Sequence, residues 1–250
     1  MNLAAADIEA LERATLAAVA PERLEALPDW LLPMDHGTVG RARSAVPLSH
    51  EPPQPDTLDA IAARYRAAGH VPRFRLPETP AWAAAHAHLG THGFVRQQPT
   101  WTQVAPLQAL LAVPSHPQAV LETRPDAAWM AMFLGEGLDP VDGASRSQAL
   151  ARATGTWYAS LRASGQTLAC GAASLGHGWL GVHGLRTAAS HRGRGYAGAL
   201  MRAMAEHAQT QGIRRVFLQV DAHNAAALSL YERMGFGRAW CYAYWLPARA

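Results

Sequence analysis

The chain has 250 residues, 49% of them hydrophobic and 16% charged, which is enough to bury a core and too apolar for a disordered segment. All 22 basic side chains are arginine, so mechanisms that need a lysine amine are excluded: the P-loop phosphate lysine, Schiff-base and pyridoxal-phosphate chemistry, the kinase lysine. The net charge of +3 is spread over scattered arginines with Asp and Glu between them, Arg192/Arg194 and Arg214/Arg215 among the close pairs, so no basic stripe forms and no nucleic-acid partner is expected.

The Ala-rich opening from Ala4 to Ala20 carries Asp7, Glu9, Glu12 and Arg13, which the apolar core of an export leader would not tolerate. No apolar run approaches the ~20 residues of a spanning helix. A cytoplasmic chain with no membrane partner is expected. Leu58, Ile61, Ala62 and Tyr65 mark a helix ending before Gly69, and Arg73–Leu76 reads as a strand. His86, His88 and His92 tempt a metal reading, but no cysteine or well-placed carboxylate is visible nearby, so a solvated helix face and no metal are expected. Val113–Pro117 reads as a linker.

Beyond it, Asp126–Ala153 looks helical with a break around Gly135–Gly143. Thr156–Ala163 and Gln166–Ser174 are predicted strands joined at Ser164-Gly165, and Trp179–Thr187 is a third. The run His191-Arg192-Gly193-Arg194-Gly195-Tyr196-Ala197 then feeds a helix whose buried face is Ala197, Leu200, Met201, Met204, Ala205 and Ala208. Gly212 ends that helix. Val216–Val220 is a strand, Asn224–Met234 a helix and Cys241–Trp245 a last strand. Cys170 and Cys241 lack C-x-x-C spacing; Cys170 reads as a small buried hydrophobe. Part of this pattern recurs half a chain length earlier: His92-Gly93-Phe94 answers Met234-Gly235-Phe236, and Gly69 answers Gly212. In place of the glycine-rich run the first half has His50-Glu51-Pro52-Pro53-Gln54-Pro55, which offers few N–H donors and adds a negative charge.

A strand, then glycines, then a helix start is an anion site: N–H groups point outward, the helix dipole favours negative charge, and Arg192 and Arg194 add full charges. Gly193, Gly195 and Gly198 match G-x-G-x-x-G, with Asp221 after a later strand, as in a dinucleotide fingerprint. Against that reading, Ala188–Arg192 separates the glycines from the strand, and too little chain follows to build a doubly wound sheet.

The run Arg192–Ala197 resembles the R/Q-x-x-G-x-G/A loop of the GNAT superfamily of N-acetyltransferases, and Asn224–Phe236 is similar to that superfamily's N-x-x-A-x-x-x-Y-x-x-x-G-F helix. The likeness is strong from about Val120 to Trp245 and architectural in the first half, as in bacterial tandem-GNAT proteins such as mycothiol synthase. It implies an α/β (α+β) fold of two tandem GNAT-like domains, a degenerate one over 1–113 and a catalytic one over 118–250. Each would be a mixed, mostly antiparallel twisted sheet flanked by helices, with a splayed parallel strand pair at the acetyl-CoA site.

The resemblance also implies roles. Acetyl-CoA, as co-substrate, would place its pyrophosphate on Arg192, Gly193, Arg194, Gly195, Tyr196 and Ala197, and its pantetheine arm along Leu185, Arg186 and Thr187, with a contact from Asn224. Tyr231 would be the general acid for the leaving thiolate. His183 is the first candidate for the base, followed by His223, Asp221 and Glu136, because Gln219 stands where ribosomal-protein alanine acetyltransferases carry a glutamate. Trp129 and Phe133 would line the substrate site, although their spacing fits core packing equally well. The expected activity is acetyl transfer to a small primary amine by a monomer or homodimer. A protein N-terminal or peptide amine, or a non-catalytic acyl-CoA-binding module, stays open.

Overall fold

The computed structural model describes residues 3–135 and 137–248. The first half runs α1 (Ala5–Val19), β1 (Arg23–Leu27), β2 (Trp30–Met34), β3 (Val46–Pro47), α2 (Pro55–Ala67), β4 (Phe74–Pro77), α3 (Ala83–Thr91), β5 (Phe94–Pro106) and α4 (Leu107–Leu111). The second runs β6 (Ala119–Glu122), α5 (Ala127–Ala131), α6 (Pro140–Arg152), β7 (Thr156–Ala163), β8 (Gln166–Gly176), β9 (Trp179–Thr187), α7 (Tyr196–Thr210), β10 (Arg215–Asp221), α8 (Ala225–Arg233) and β11 (Gly237–Pro247). The fold is a mixed α/β one with mostly antiparallel sheets. No helix among the described residues is long and apolar enough to cross a membrane.

Strands β1, β2 and β3 form a small sheet, and the rest form one eight-stranded sheet in the order β4-β11-β5-β10-β9-β8-β7-β6. Within the large sheet only β9 and β10 run parallel. The two halves exchange strands. β5 lies between β10 and β11, while β11, the last strand, pairs with β4 of the first half. The segment expected to separate two domains falls between α4 and β6, yet one sheet runs across both halves. The order helix–strand–helix–strand occurs in each half, as α2, β4, α3, β5 and as α7, β10, α8, β11.

Helix α7 covers one face of the sheet. Its Leu200, Met201, Met204, Ala205 and Ala208 are fully buried against Leu161, Ala169, Ala173 and Leu218, the face that its periodicity predicts. Cys170 is fully buried on β8, as expected. Helix α1 covers the other face: Leu11 and Ala14 pack with Trp179, Phe217, Trp240 and Tyr242, residues of the second half. From the same helix the buried Glu12 pairs with the buried Arg75 of β4, whose guanidinium lies 4.9 Å from the centre of the Tyr242 ring. Removing one partner of a buried ion pair leaves the other charge uncompensated. Arg75→Leu is therefore expected to destabilise the fold by about 3–5 kcal/mol. Urea unfolding measures it, and a loss below about 1 kcal/mol would contradict the role of this pair in tying α1 to the sheet.

Candidate active site

The site begins where the parallel pair comes apart. β10 pairs with β9 only from Val216 to Leu218, opposite Leu180 to Val182. Beyond that both strands continue without each other, β9 to Thr187 and β10 to Asp221. β9 also bulges there: Ala172 faces His183 and Cys170 faces Arg186, so Gly184 and Leu185 together oppose Gly171. Gly184 sits at φ +59°, and a Cβ on it would meet Leu150 Cδ1 and Phe133 Cζ, both at 2.9 Å, so the bulge requires glycine. The backbone of Leu185, Arg186 and Thr187 is left with one edge free of the neighbouring strand, where an extended arm can add.

The glycine-rich run follows. Gly193 and Gly195 adopt φ +76° and +78°, and a Cβ on either meets nothing within 4 Å. Gly195 is the N-cap of α7. No backbone acceptor among the described residues takes up the amides of Gly193, Arg194 or Gly195, and those of Tyr196 and Ala197 lie in the first helical turn, where intrahelical partners are lacking. The run is exposed, with Arg192 and Arg194 at its rim. This arrangement fits a pyrophosphate: unpaired amides, the positive end of a 15-residue helix, two arginines and room.

A cavity of about 710 Å³ opens beside the splay. Its walls include Leu185, Arg186, Asn224 and Tyr231, and also Phe133. Tyr231 is half-buried on α8. Burial holds its phenol above the ordinary tyrosine range, partly offset by Arg186, so it carries its proton at neutral pH. Asn224 caps α8, its Oδ1 accepting from the Ala227 amide at 3.1 Å. Arg186 stacks over Phe133 at 5.3 Å. The first half supplies the opposite wall with Arg41, Arg43, Ser44 and Arg73. These four, together with Asp142 and Arg146, carry no motif and were not legible in the sequence. What they share is a place on the wall of this one cavity, although they come from segments far apart in the chain.

Three sequence expectations change. His183 is 4% exposed, its Nε2 2.8 Å from Ser174 Oγ, and burial, reinforced by Arg41, pushes its pKa down to about 3. So low a value makes it a poor proton acceptor at neutral pH, which corrects its expected role as base. It also predicts a pH effect on stability. The unfolded histidine takes up a proton below about 6.5 and the folded one does not until about 3, so this contribution to stability is lost as pH falls through that window. Its slope reaches at most about 1.4 kcal/mol per pH unit. Urea unfolding between pH 7 and 4 should show a shallower loss for His183→Gln than for wild type, and parallel curves would contradict this account.

Trp129 is 1% exposed and does not line the cavity; its Nε1 donates to the Ala159 carbonyl at 3.0 Å, and it packs against Tyr158 and Phe133. It is a core residue, and Phe133 alone of that pair reaches the site. Finally, a carboxylate does stand beside the histidines: Asp59 of α2 lies 3.0 Å from His88 Nε2, and His88, His92 and Asp59 cluster, while His86 stacks on Trp245. Asp59 is 29 positions away in sequence, which hid it.

Of the remaining base candidates, Glu136 lies outside the described residues and His223 is exposed. Asp221 lines the cavity, its Oδ1 accepting from the His223 amide at 2.8 Å. Gln219, at the position where a glutamate would serve as base, is held by Arg41 Nη1 at 2.7 Å.

Comparisons with known proteins give the family and the fold. The family model described as "Probable histone acetyltransferase Rv0428c C-terminal" matches residues 5–245. A mycothiol acetyltransferase from Thermobispora bispora is 32% identical over 178 residues, 62% of this chain and 59% of that protein. A GCN5-related N-acetyltransferase structure from Kribbella flavida superposes with a TM-score of 0.68 at 18% identity, covering 97% of this chain and 96% of that one. A tandem GNAT protein from the clavulanic acid biosynthesis pathway superposes with a TM-score of 0.58 at 16% identity, covering 99% and 98%. The alignments span between 20% and 59% of the length of the curated relatives.

Proposed function

The chain belongs to this Rv0428c C-terminal family of GNAT acetyltransferases, and from that premise we propose that it transfers an acetyl group from acetyl-CoA to the primary amine of a small molecule. The observation that carries the reading is the splayed β9/β10 pair ending beside an open two-glycine cradle, with a protonated phenol on the wall of the adjoining cavity. We further take the first half to be a degenerate copy of the same unit, which keeps the strands and lacks the cradle. Its Pro52, Pro53 and Pro55 stand where amides would be needed.

When bound, acetyl-CoA supplies the acetyl group as a thioester. In this reading the amides of Gly193–Ala197 hold its pyrophosphate, and Arg192 and Arg194 compensate its charge. The free edge of Leu185–Thr187 takes the pantetheine arm as an added strand. An amide there faces the carbonyl oxygen and stabilises the charge that develops on it. Tyr231 donates its proton to the departing sulfur. Asp221 is the cavity carboxylate without an arginine partner among the described residues and is placed to take the amine's proton through water. A cavity walled on both sides suits a small acceptor better than a folded polypeptide.

CoA release from acetyl-CoA, measured against small amines, amino acids and N-terminal peptides, tests this reading. Release with a small-amine class supports it. Release only with peptides would replace the acceptor, and no release while acetyl-CoA binds would favour a non-catalytic module. Cys170 and Cys241 call for a control without acceptor.

A further inference from the structure

Among the described residues the walls of the cavity carry five arginines (Arg41, Arg43, Arg73, Arg146 and Arg186) and two carboxylates, Asp142 and Asp221. The nearby acids are already engaged. Asp142 accepts from Arg146 Nε at 2.5 Å and Thr38 Oγ1 at 2.7 Å, and Asp35 pairs with Arg152 at 2.7 Å. Arg41 spends one of its donors on the neutral Gln219.

Arg43 and Arg73 form no ion pair among the described residues. Both are half-buried, and each loses proton affinity chiefly through burial; for Arg43 the charges of Asp35 and Asp142 offset part of the effect, and for Arg73 the neighbouring Arg43 adds to it. Arg43 Nε is buried with no hydrogen-bond partner, and so is Ser44 Oγ beside it. Two guanidinium groups and a hydroxyl thus stand together on the wall of a cavity, partly removed from water and with no direct ion-pair partner among the described residues. Such a cluster is expensive unless an anion completes it.

We propose that Arg43, Ser44 and Arg73 form a subsite for an oxyanion, a carboxylate or phosphate carried by the acceptor. The proposal rests on the acetyltransferase reading above for the identity of that acceptor, but the subsite itself does not depend on it. Its place is distinct from the pyrophosphate cradle. Arg73 immediately precedes β4, four strand spacings from β9, or about 19 Å across the sheet. The acceptor class that follows is an elongated molecule with its amine at the splay and its acidic group at the far end. A lysine-rich peptide, cationic along its length, is the class this wall repels.

Inorganic phosphate is the first probe. In the chain saturated with acetyl-CoA, phosphate should raise the unfolding temperature beyond the effect of chloride at equal ionic strength. An Arg43→Gln/Arg73→Gln variant should need at least ten times more phosphate for the same shift, and Ser44→Ala, which changes little else, several times more. Acetyl-CoA affinity should stay within twofold. Equal phosphate response in wild type and variants, or no response in wild type, overturns the subsite. A matching loss of acetyl-CoA affinity does so too, because the arginines would then serve the CoA phosphates.

Turnover supplies the second probe. 12-Aminododecanoate, long enough to span from the splay to the arginines, should be preferred to dodecylamine by wild type, and that preference should vanish in the double variant; preference for a lysine-rich peptide overturns the acceptor class. If no acceptor is turned over while the phosphate shifts hold, the transferase reading fails and the subsite stands.

Discussion

Gly195→Glu is expected to weaken acetyl-CoA binding by about 100-fold or more. Two causes act at one position. Gly195 sits at φ +78°, where an L-residue strains the backbone by about 1–2 kcal/mol, and its missing side chain leaves open the space over the first turn of α7. A glutamate there would fill the cradle and set a carboxylate where two phosphates must lie. Gly195→Ala separates the two causes: it carries the strain and not the charge or the bulk, so it should lose far less affinity than the glutamate variant. Titration calorimetry measures both, with circular dichroism to confirm folding. Unchanged affinity in the glutamate variant would contradict the assignment of the loop.

Tyr231→Phe should lower kcat by about 100- to 10,000-fold, the range that a positioned general acid contributes, with acetyl-CoA affinity within twofold of wild type. The substitution removes one oxygen from a half-buried ring and keeps its packing against Phe236. Because burial holds the phenol above its ordinary range, the proton is present throughout the neutral region, and a hydrogen-bonding role in binding alone would show in the dissociation constant instead. Steady-state kinetics with the best acceptor decide the matter. Equal turnover would remove Tyr231 from the chemistry and leave it as a packing residue of α8.

Much of the second half was legible in its residues because local rules govern it. The strands Thr156–Ala163 and Trp179–Thr187 occupy their predicted spans, and the turn at Ser164-Gly165 takes two positive φ angles, as a two-residue hairpin requires. The buried face of α7 follows from its period alone. The strand exchange was not legible. β5 begins with the exposed stretch Val95–Gln98, which shows no alternation, and its partners Arg215–Asp221 and Gly237–Pro247 lie more than a hundred residues on. Nothing local encodes such a pairing.

The site divides in the same way. The cradle is a continuous motif, and the structure keeps it together. His183 and Trp129 were ambiguous because residue type does not reveal which side of a strand or helix is buried; the former lies under α1 beside Phe217, the latter against Tyr158. Arg43 and Arg73, thirty residues apart, become neighbours only because Ala45 bridges to Phe74.

The central claim is that the splay and the glycine loop of the second half, and not their counterparts in the first, hold acetyl-CoA. Amide hydrogen exchange with and without acetyl-CoA tests it at the level of the backbone groups invoked. Protection is expected at Leu185–Thr187 and at Gly193–Gly198, with no change over His50–Leu58. Protection confined to the first half, or none at the loop under saturating acetyl-CoA, would contradict the account.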